Sequence, residues 1–275
     1  MQKLLSAGFA RLLKHRVFWL ALAVALVLSV GICLSNYLPN ADFSLNELRL
    51  EHVFFTFYLL LGLFFAASIS LILGSEYSDG ALRNKLIVGH RRISVYLSAL
   101  LVCTVSAWAV MLVHLLVTAT LGYFLFGGFG SILTVGQAAF GVVSAFFAAL
   151  AYAAIFVAIT LNCANKTVSA VTCLVLTVLT AYLSVLIGNW LAEPELYVLG
   201  YGNGMQPVTE PNPFYIDGVG RNALQFLYDL LPDGQMNQLY ALKLNVTKPW
   251  ISLSLGLGVA VSGLGCGLFC RKDIK

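Results

Sequence analysis

Residues 93–165 run for 73 positions without one Asp, Glu, Lys or Arg, and residues 53–75 do the same. Runs that long and that apolar are suited to lipid, because about 20 helical residues at about 1.5 Å each cross the hydrocarbon of a bilayer. Three more charge-free runs occupy 17–41, 167–192 and 249–270. An average soluble domain is about 25% charged, whereas this chain of 275 residues is 10% charged and 60% hydrophobic. A single soluble core cannot hide that much apolar surface, so the chain reads as an integral membrane protein.

Four of the runs fit one helix each. The 73-residue run fits two, with its break at Gly127-Gly128-Phe129-Gly130-Ser131, since clustered glycines favour a turn. The expectation is a single transmembrane domain, 1–275, with six spans near 17–36, 53–74, 94–126, 132–161, 168–191 and 249–269. Barrel strands would alternate apolar and polar residues. These runs are apolar all round, so the fold class is all-α. The first run exceeds the apolar core of about 7–15 residues typical of a cleaved signal peptide, and is expected to stay as a span.

Twelve of the sixteen Lys and Arg fall on one side of this topology: Lys3, Arg11, Lys14, Arg16, Arg83, Lys85, Arg91, Arg92, Lys166, Arg271, Lys272 and Lys275. The positive-inside rule then places both termini and the loop 75–93 in the cytoplasm, in a multi-pass protein of the plasma (inner) membrane. The net charge of +4 follows from this bias, without a nucleic-acid partner.

The pieces between spans have their own patterns. Leu5, Phe9 and Leu12 repeat at helical spacing beside Lys3, Arg11 and Lys14, which predicts an amphipathic surface helix at the amino terminus. The outer loop 192–248 carries a net charge of −3. Its Gly-, Pro- and Asn-rich first half reads as irregular loop. In its second half Ala223, Leu224, Leu227, Leu230 and Leu231 define one helical face, ended by Pro232 and Gly234, and a second short helix is expected over 235–244. These helices would rest on the outer surface or dip into it. Asn245-Val246-Thr247 matches a glycosylation sequon. The six cysteines lie in or beside spans and read as apolar packing residues. Small residues repeat at Ala66, Ser70 and Gly74 in the second span. They recur in the pairs Gly256/Ala260, Gly258/Ser262 and Gly263/Gly267 in the sixth, a pattern that permits close helix approach in lipid.

Chemistry is sparse. No phosphate-binding loop, metal-binding helix motif or dinucleotide fingerprint is present, so the chain is not read as an enzyme and no cofactor is expected in it. His114 is an intramembrane ionisable group and a functional candidate on that ground; no acid lies in any span to pair with it, which favours a neutral His hydrogen-bonded to Ser, Thr or backbone. Gln137, Tyr152, Asn162, Tyr182 and Asn189 are other polar residues that could line a path, although such residues more often serve packing between helices. With no carboxylate in the spans, energy for uphill transport would have to enter from a cytoplasmic partner.

That leaves the charged island 76–92, EYSDGALRNKLIVGHRR. Here the chain resembles the permease subunits of the ABC-2 family, in which an acidic residue follows the second span, then a Gly, a basic or polar stretch, a Leu and an Arg-bearing turn. Glu76, Gly80, Leu86 and Arg91 or Arg92 occupy those places, with Gly89 where the family often has Pro. The basic amino-terminal helix, the six spans, the long outer segment and the ending Phe269-Cys270-Arg271-Lys272-Asp273 extend the resemblance along the chain.

The resemblance implies a transport subunit that pairs with a second permease copy, identical or related, and with two copies of a cytoplasmic ABC ATPase carrying ATP and Mg. It implies export, with the loop between spans two and three docking on the ATPase through Glu76, Gly80, Arg83, Leu86, Arg91 and Arg92. The apolar, aromatic spans suit an amphipathic or hydrophobic cargo: a peptide, a drug or a lipid-like molecule. The main alternative is a non-transporting sensor or immunity protein that binds a peptide through its outer loop. An intramembrane enzyme lacks a catalytic set beyond His114, and a channel or secondary carrier lacks intramembrane charge.

Overall fold

The structure, a computed structural model, describes residues 1–38, 49–130, 132–163, 165–201 and 207–272. Ser131, residues 202–206 of the Gly-rich loop, Asp273 and Lys275 lie outside the described residues. Among the described residues six helical segments are long and apolar enough to cross a membrane: Arg16–Tyr37, Glu51–Ser78, Arg92–Phe126, Val135–Cys163, Lys166–Ala192 and Trp250–Arg271. The architecture is an all-α membrane protein with one small β-hairpin.

Helix α1 (Gln2–Lys14) ends at His15, whose extended backbone turns the chain into α2 (Arg16–Tyr37). The His15 ring caps α2 by accepting from the Val17 N–H at 3.3 Å. Leu4 and Leu12 of α1 are buried, and the helix packs against the third span instead of meeting lipid alone.

The second span is interrupted. Helix α3 (Glu51–Phe54) gives way at Phe55 to a 3₁₀ turn (Thr56–Leu60), and α4 (Leu61–Ser78) completes the crossing. In lipid a broken helical ladder must find other partners for its freed backbone groups. The Phe54 carbonyl finds one in His114 Nε2, 3.0 Å away. The helix runs on past the expected boundary near residue 74 to Ser78, because Glu76 finds a cationic partner described below.

A short helix α5 (Ala81–Ile87) separates α4 from the third span. That span comprises α6 (Arg92–Val117), a π-helical turn (Thr118–Gly122) and α7 (Tyr123–Phe126). Glu51 then organises the crossover to α8 (Val135–Cys163): its Oε2 accepts from the N–H groups of Gly130 and Leu133, each at 3.0 Å. Thr134 and Gln137 form a reciprocal cap at the head of α8, with bonds of 2.9 and 3.3 Å, the Thr-x-x-Gln capping box. Asn165 caps α9 (Lys166–Ala192) by accepting from Thr167 and Val168.

The segment after α9 departs from the sequence expectation. The stretch read as irregular loop pairs as two antiparallel strands, β1 (Leu196–Tyr201) and β2 (Pro207–Pro211), with a bulge between Val198 and Gly200. Pro at both ends of β2 suits an unshared edge strand. Helix α10 (Gly218–Leu230) carries the expected apolar face. As expected, α10 ends just before Pro232, with Leu231 extended at its end. Pro232 then opens α11 (Pro232–Tyr240), in the first turn, where its missing N–H costs nothing, and Gly234 lies within that helix. The second helix therefore starts before the expected 235 and ends before 244.

Helix α11 is not at a surface. Pro232, Asp233, Gly234, Gln235, Met236, Gln238 and Leu239 are buried, and it packs on α9, α8 and the 3₁₀ turn of the second span. Helices α10 and α11 form a re-entrant pair whose turn reaches far into the bundle. The chain closes with α12 (Trp250–Arg271).

The core lies between α4 and α8, the two most enclosed spans. Of the small residues on α12, Gly258 and Ser262 lie on the side that packs, and Gly265 joins them. A Cβ on Gly265 would sit 2.6 Å from the Ala158 Cβ, whereas one on Gly256, Gly263 or Gly267 would meet nothing within 4 Å. The latter three, with Ala260, are therefore turned out of the chain's own core. Ala66, Ser70 and Gly74 of α4 are all buried, and Gly74 abuts Lys166 at the head of α9.

Candidate functional site

The island 76–92 folds as the end of α4, the helix α5 and two tight turns. Gly80 supplies the first turn with φ +67° and Gly89 the second with φ +94°. A proline is confined to φ near about −65°, so a Pro at position 89 would require the turn to be rebuilt.

Charge pairs tie the island to the bundle. Lys85 Nζ lies 2.7 Å from Glu76 Oε2, joining α5 to the end of α4. Arg11 of α1 reaches Asp79 at 2.5 Å and Ser75 Oγ at 3.5 Å. His15 Nε2 also meets Ser75 Oγ, at 3.1 Å. Burial and the charges of Arg11 and Lys166 hold the His15 pKa below the ordinary histidine value, against the opposing pull of Asp79 and Glu76.

A second set of contacts binds the carboxyl terminus at the same end. Arg92 donates to the carbonyls of Phe269, at 3.2 Å, and of Lys272. Lys272 donates to the Asn162 carbonyl at 2.5 Å, and the Tyr77 hydroxyl to that of Leu161. Cations are favourable at helix C-termini, where carbonyls are left open, so α4, α6, α8 and α12 are fastened together here.

The six island residues singled out from the sequence thus separate. Glu76 is buried in its ion pair, Gly80 shapes a turn, Leu86 packs on the core and Arg92 holds α12. Arg83 and Arg91 are exposed, and among the described residues neither takes part in a side-chain hydrogen bond or ion pair. Ile87 and Val88 lie on the same short segment, 70% and 76% exposed. Arg83, Ile87, Val88 and Arg91 are thus exposed and not used in anchoring the island.

The path candidates do not converge: Tyr152 bonds Asp233, as described below, and Asn162 donates to the carbonyls of Ala158 and Gly265. His114 is fully enclosed, with Nδ1 2.9 Å from Ser29 Oγ, Nε2 on the Phe54 carbonyl and its ring stacked on Phe57 at 4.8 Å. Gln137 is consumed in the α8 cap. Tyr182 and Asn189 lie on the exposed side of α9 with Val171, Val175, Val178 and Val185.

The structure brings forward a residue that the sequence reading passed over. The expectation that no carboxylate lies among the spans needs correction. None belongs to their interiors in sequence, but α11 carries Asp233 between α8 and α9. There it meets Tyr152, the eighteenth of the 29 residues of α8, and Thr180, the fifteenth of the 27 of α9. Pro232-Asp233-Gly234 reads as a surface turn, and only the apolar face of α10 hinted that the pair could enter the bundle.

With this arrangement in place, a protein-family model described as ABC-2 family transporter protein matches residues 4–190. The chain belongs to the ABC-2 transporter family. The match runs from α1 to the last turn of α9 and includes the whole island. Members of this family are permease components of ABC transporters and are not themselves catalytic. They generally partner with an ABC ATPase and form dimers in the membrane. This chain is a multi-pass membrane protein of that kind. No curated protein matches it.

Proposed function

We propose that this chain is the membrane-spanning half of an ATP-driven exporter of amphipathic or hydrophobic cargo. A second permease copy, identical or related, and two copies of a cytoplasmic ABC ATPase complete it, and the ATPase carries ATP and Mg. The observation that carries this reading is the set Arg83, Ile87, Val88 and Arg91: two exposed cations and two exposed aliphatic side chains on α5 and the turn that follows it, in a segment otherwise anchored to the bundle. Such a mixed face suits protein contact, with exposed apolar side chains contributing area and arginines contributing paired charge. Twelve of the sixteen Lys and Arg fall with the termini and island on one side of the topology, which supports a cytoplasmic placement of this end in the inner membrane.

Coupling follows from the anchoring. A partner that closes against α5 pushes on α4 through the Glu76–Lys85 pair and on α1 through Arg11–Asp79. It draws α12 along through Arg92. Alternating access needs two discrete arrangements with different exposure, and the interrupted second span supplies a place for them to diverge. Export is the direction that the family resemblance implies.

The test is co-expression with the candidate ATPase. Arg83→Glu combined with Arg91→Glu is expected to abolish co-purification and permease-dependent ATP hydrolysis. If both survive unchanged, the docking assignment is wrong.

A further inference from the structure

The buried carboxylates of this chain are compensated in different ways. Glu76 has Lys85 at 2.7 Å. Asp229 has Lys248 at 3.3 Å, with the Trp250 indole at 3.0 Å and Gln238 at 2.9 Å. Glu51 accepts two backbone N–H groups. Asp233, only 8% exposed, has two hydroxyls and its own backbone N–H: Tyr152 donates to Oδ1 at 2.7 Å and Thr180 to Oδ2 at 2.6 Å. Among the described residues no Lys, Arg or His forms an ion pair with it. The first turn of α11 adds about half a positive charge from its backbone, which leaves the carboxylate short of a full counter-charge. A charge in such surroundings is costly unless it is paired.

Asp233 also borders empty space. A cavity of about 100 Å³ lies beside it, walled by Ile155, Phe156, Leu176, Leu231 and Leu257 and by the Tyr152 ring. Tyr152 and Phe156 stack there, with centroids 5.8 Å apart and planes 17° from parallel. A single carboxylate, two aromatic rings and aliphatic walls around a volume of that order match the chemistry of an alkylammonium group. The carboxylate supplies the counter-charge, and ring faces attract quaternary ammonium cations.

We propose that this cavity binds the cationic head of an amphipathic alkylammonium cargo, with Asp233 as its counter-ion and Tyr152 and Phe156 as its aromatic walls. This rests on the reading of the chain as a transport subunit and adds the charge class of the cargo. The hydroxyls of Tyr152 and Thr180 hold the carboxylate in place. The hydrocarbon tail follows the apolar surfaces of α9 and α12 towards lipid.

The experiment uses the full chain purified in dodecyl maltoside, without any ATPase. Binding of labelled dodecyltrimethylammonium is measured by equilibrium dialysis, with the net-neutral dodecyldimethylamine oxide as competitor. Saturable binding to the wild type is expected, with the amine oxide competing poorly. Asp233→Asn keeps the shape and can still bond both hydroxyls, and should weaken binding by about tenfold or more, the range for losing a bond to a charged group. Phe156→Leu leaves the charge and should weaken it about threefold. Should Asp233→Asn fail to fold, Phe156→Leu and the competition decide. Equal binding by folded Asp233→Asn, equal competition by the amine oxide, or no saturable binding to the wild type overturns the proposal; in those cases the carboxyl serves only to hold α11 against α8 and α9. Because no ATPase is present, a failed binding test leaves the docking face standing, and a failed docking test leaves this site standing.

Discussion

Glu76 and Lys85 meet at 2.7 Å across the Gly80 turn, with side chains only 11% and 17% exposed. The pair is the fastening between a spanning helix and the short helix that carries Arg83 and Ile87. Glu76→Gln leaves the Lys85 ammonium half-buried without its partner. The expected cost is about 1–3 kcal/mol of stability, read as a lower melting temperature of the purified protein. The charge-swapped double variant Glu76→Lys with Lys85→Glu should recover most of it, and no recovery would mean that the pair is not the cause.

Arg83 and Arg91 should behave oppositely. Exposed side chains away from structural features change stability by about 0.5 kcal/mol or less. Arg83→Ala and Arg91→Ala should therefore melt with the wild type while losing ATPase capture in a pull-down. A drop in melting temperature comparable to that of Glu76→Gln would show that these arginines support the fold instead.

Gly263 and Gly265, two residues apart on α12, give a contrast that needs no partner. A side chain on Gly265 would run into Ala158, while one on Gly263 meets open space. Gly265→Leu should cost about 1–3 kcal/mol through overpacking, or more if the backbones must separate. Gly263→Leu should fold as the wild type does. Equal melting temperatures for the two would contradict the α8–α12 packing.

The His15 cap gives a pH dependence with a definite sign. Its Nδ1 accepts the Val17 N–H, so the proton of the neutral ring sits on Nε2 and is offered to Ser75. Its folded pKa is held down by burial and by Arg11 and Lys166. The unfolded chain therefore takes up a proton first, at about pH 6.5, and the folded chain only at lower pH. Stability due to this group is present above about pH 6.5 and falls as the pH is lowered below it. Melting at a series of pH values should show the wild type losing stability relative to His15→Gln on acidification. Parallel curves would remove His15 as the titrating group.

The spans were legible because a bilayer imposes one coarse demand, length without charge, and 53–75 and 93–165 announce it without reference to tertiary contacts. Boundaries were less so. Glu76 looks like the end of a helix until Lys85 is seen to neutralise it, and that pairing depends on a turn at Gly80. The Thr134–Gln137 cap was open to reading as Thr-x-x-Gln, whereas Gln137 stood out only as a polar residue in an apolar run. The re-entrant pair was hidden for a physical reason. Its turn, Pro232-Asp233-Gly234, has the composition of an exposed stop, and burial becomes possible only because Tyr152 of α8 and Thr180 of α9 meet its carboxylate. The break at Phe55 left no mark at all, since a 3₁₀ turn and an α-helix can be built from the same apolar residues.

That break has a mechanical consequence. From Leu61 to Ser78 the second span is an uninterrupted helix of 18 residues, a stiff lever roughly 27 Å long. Pivoting it by about 10° at the 3₁₀ turn would carry its far tip through roughly 5 Å, close to the rise of one helical turn. The 3₁₀ turn lies at the end of α4 away from α5, so such a pivot would move the α5 end while α3 and its Glu51 brace stay where they are.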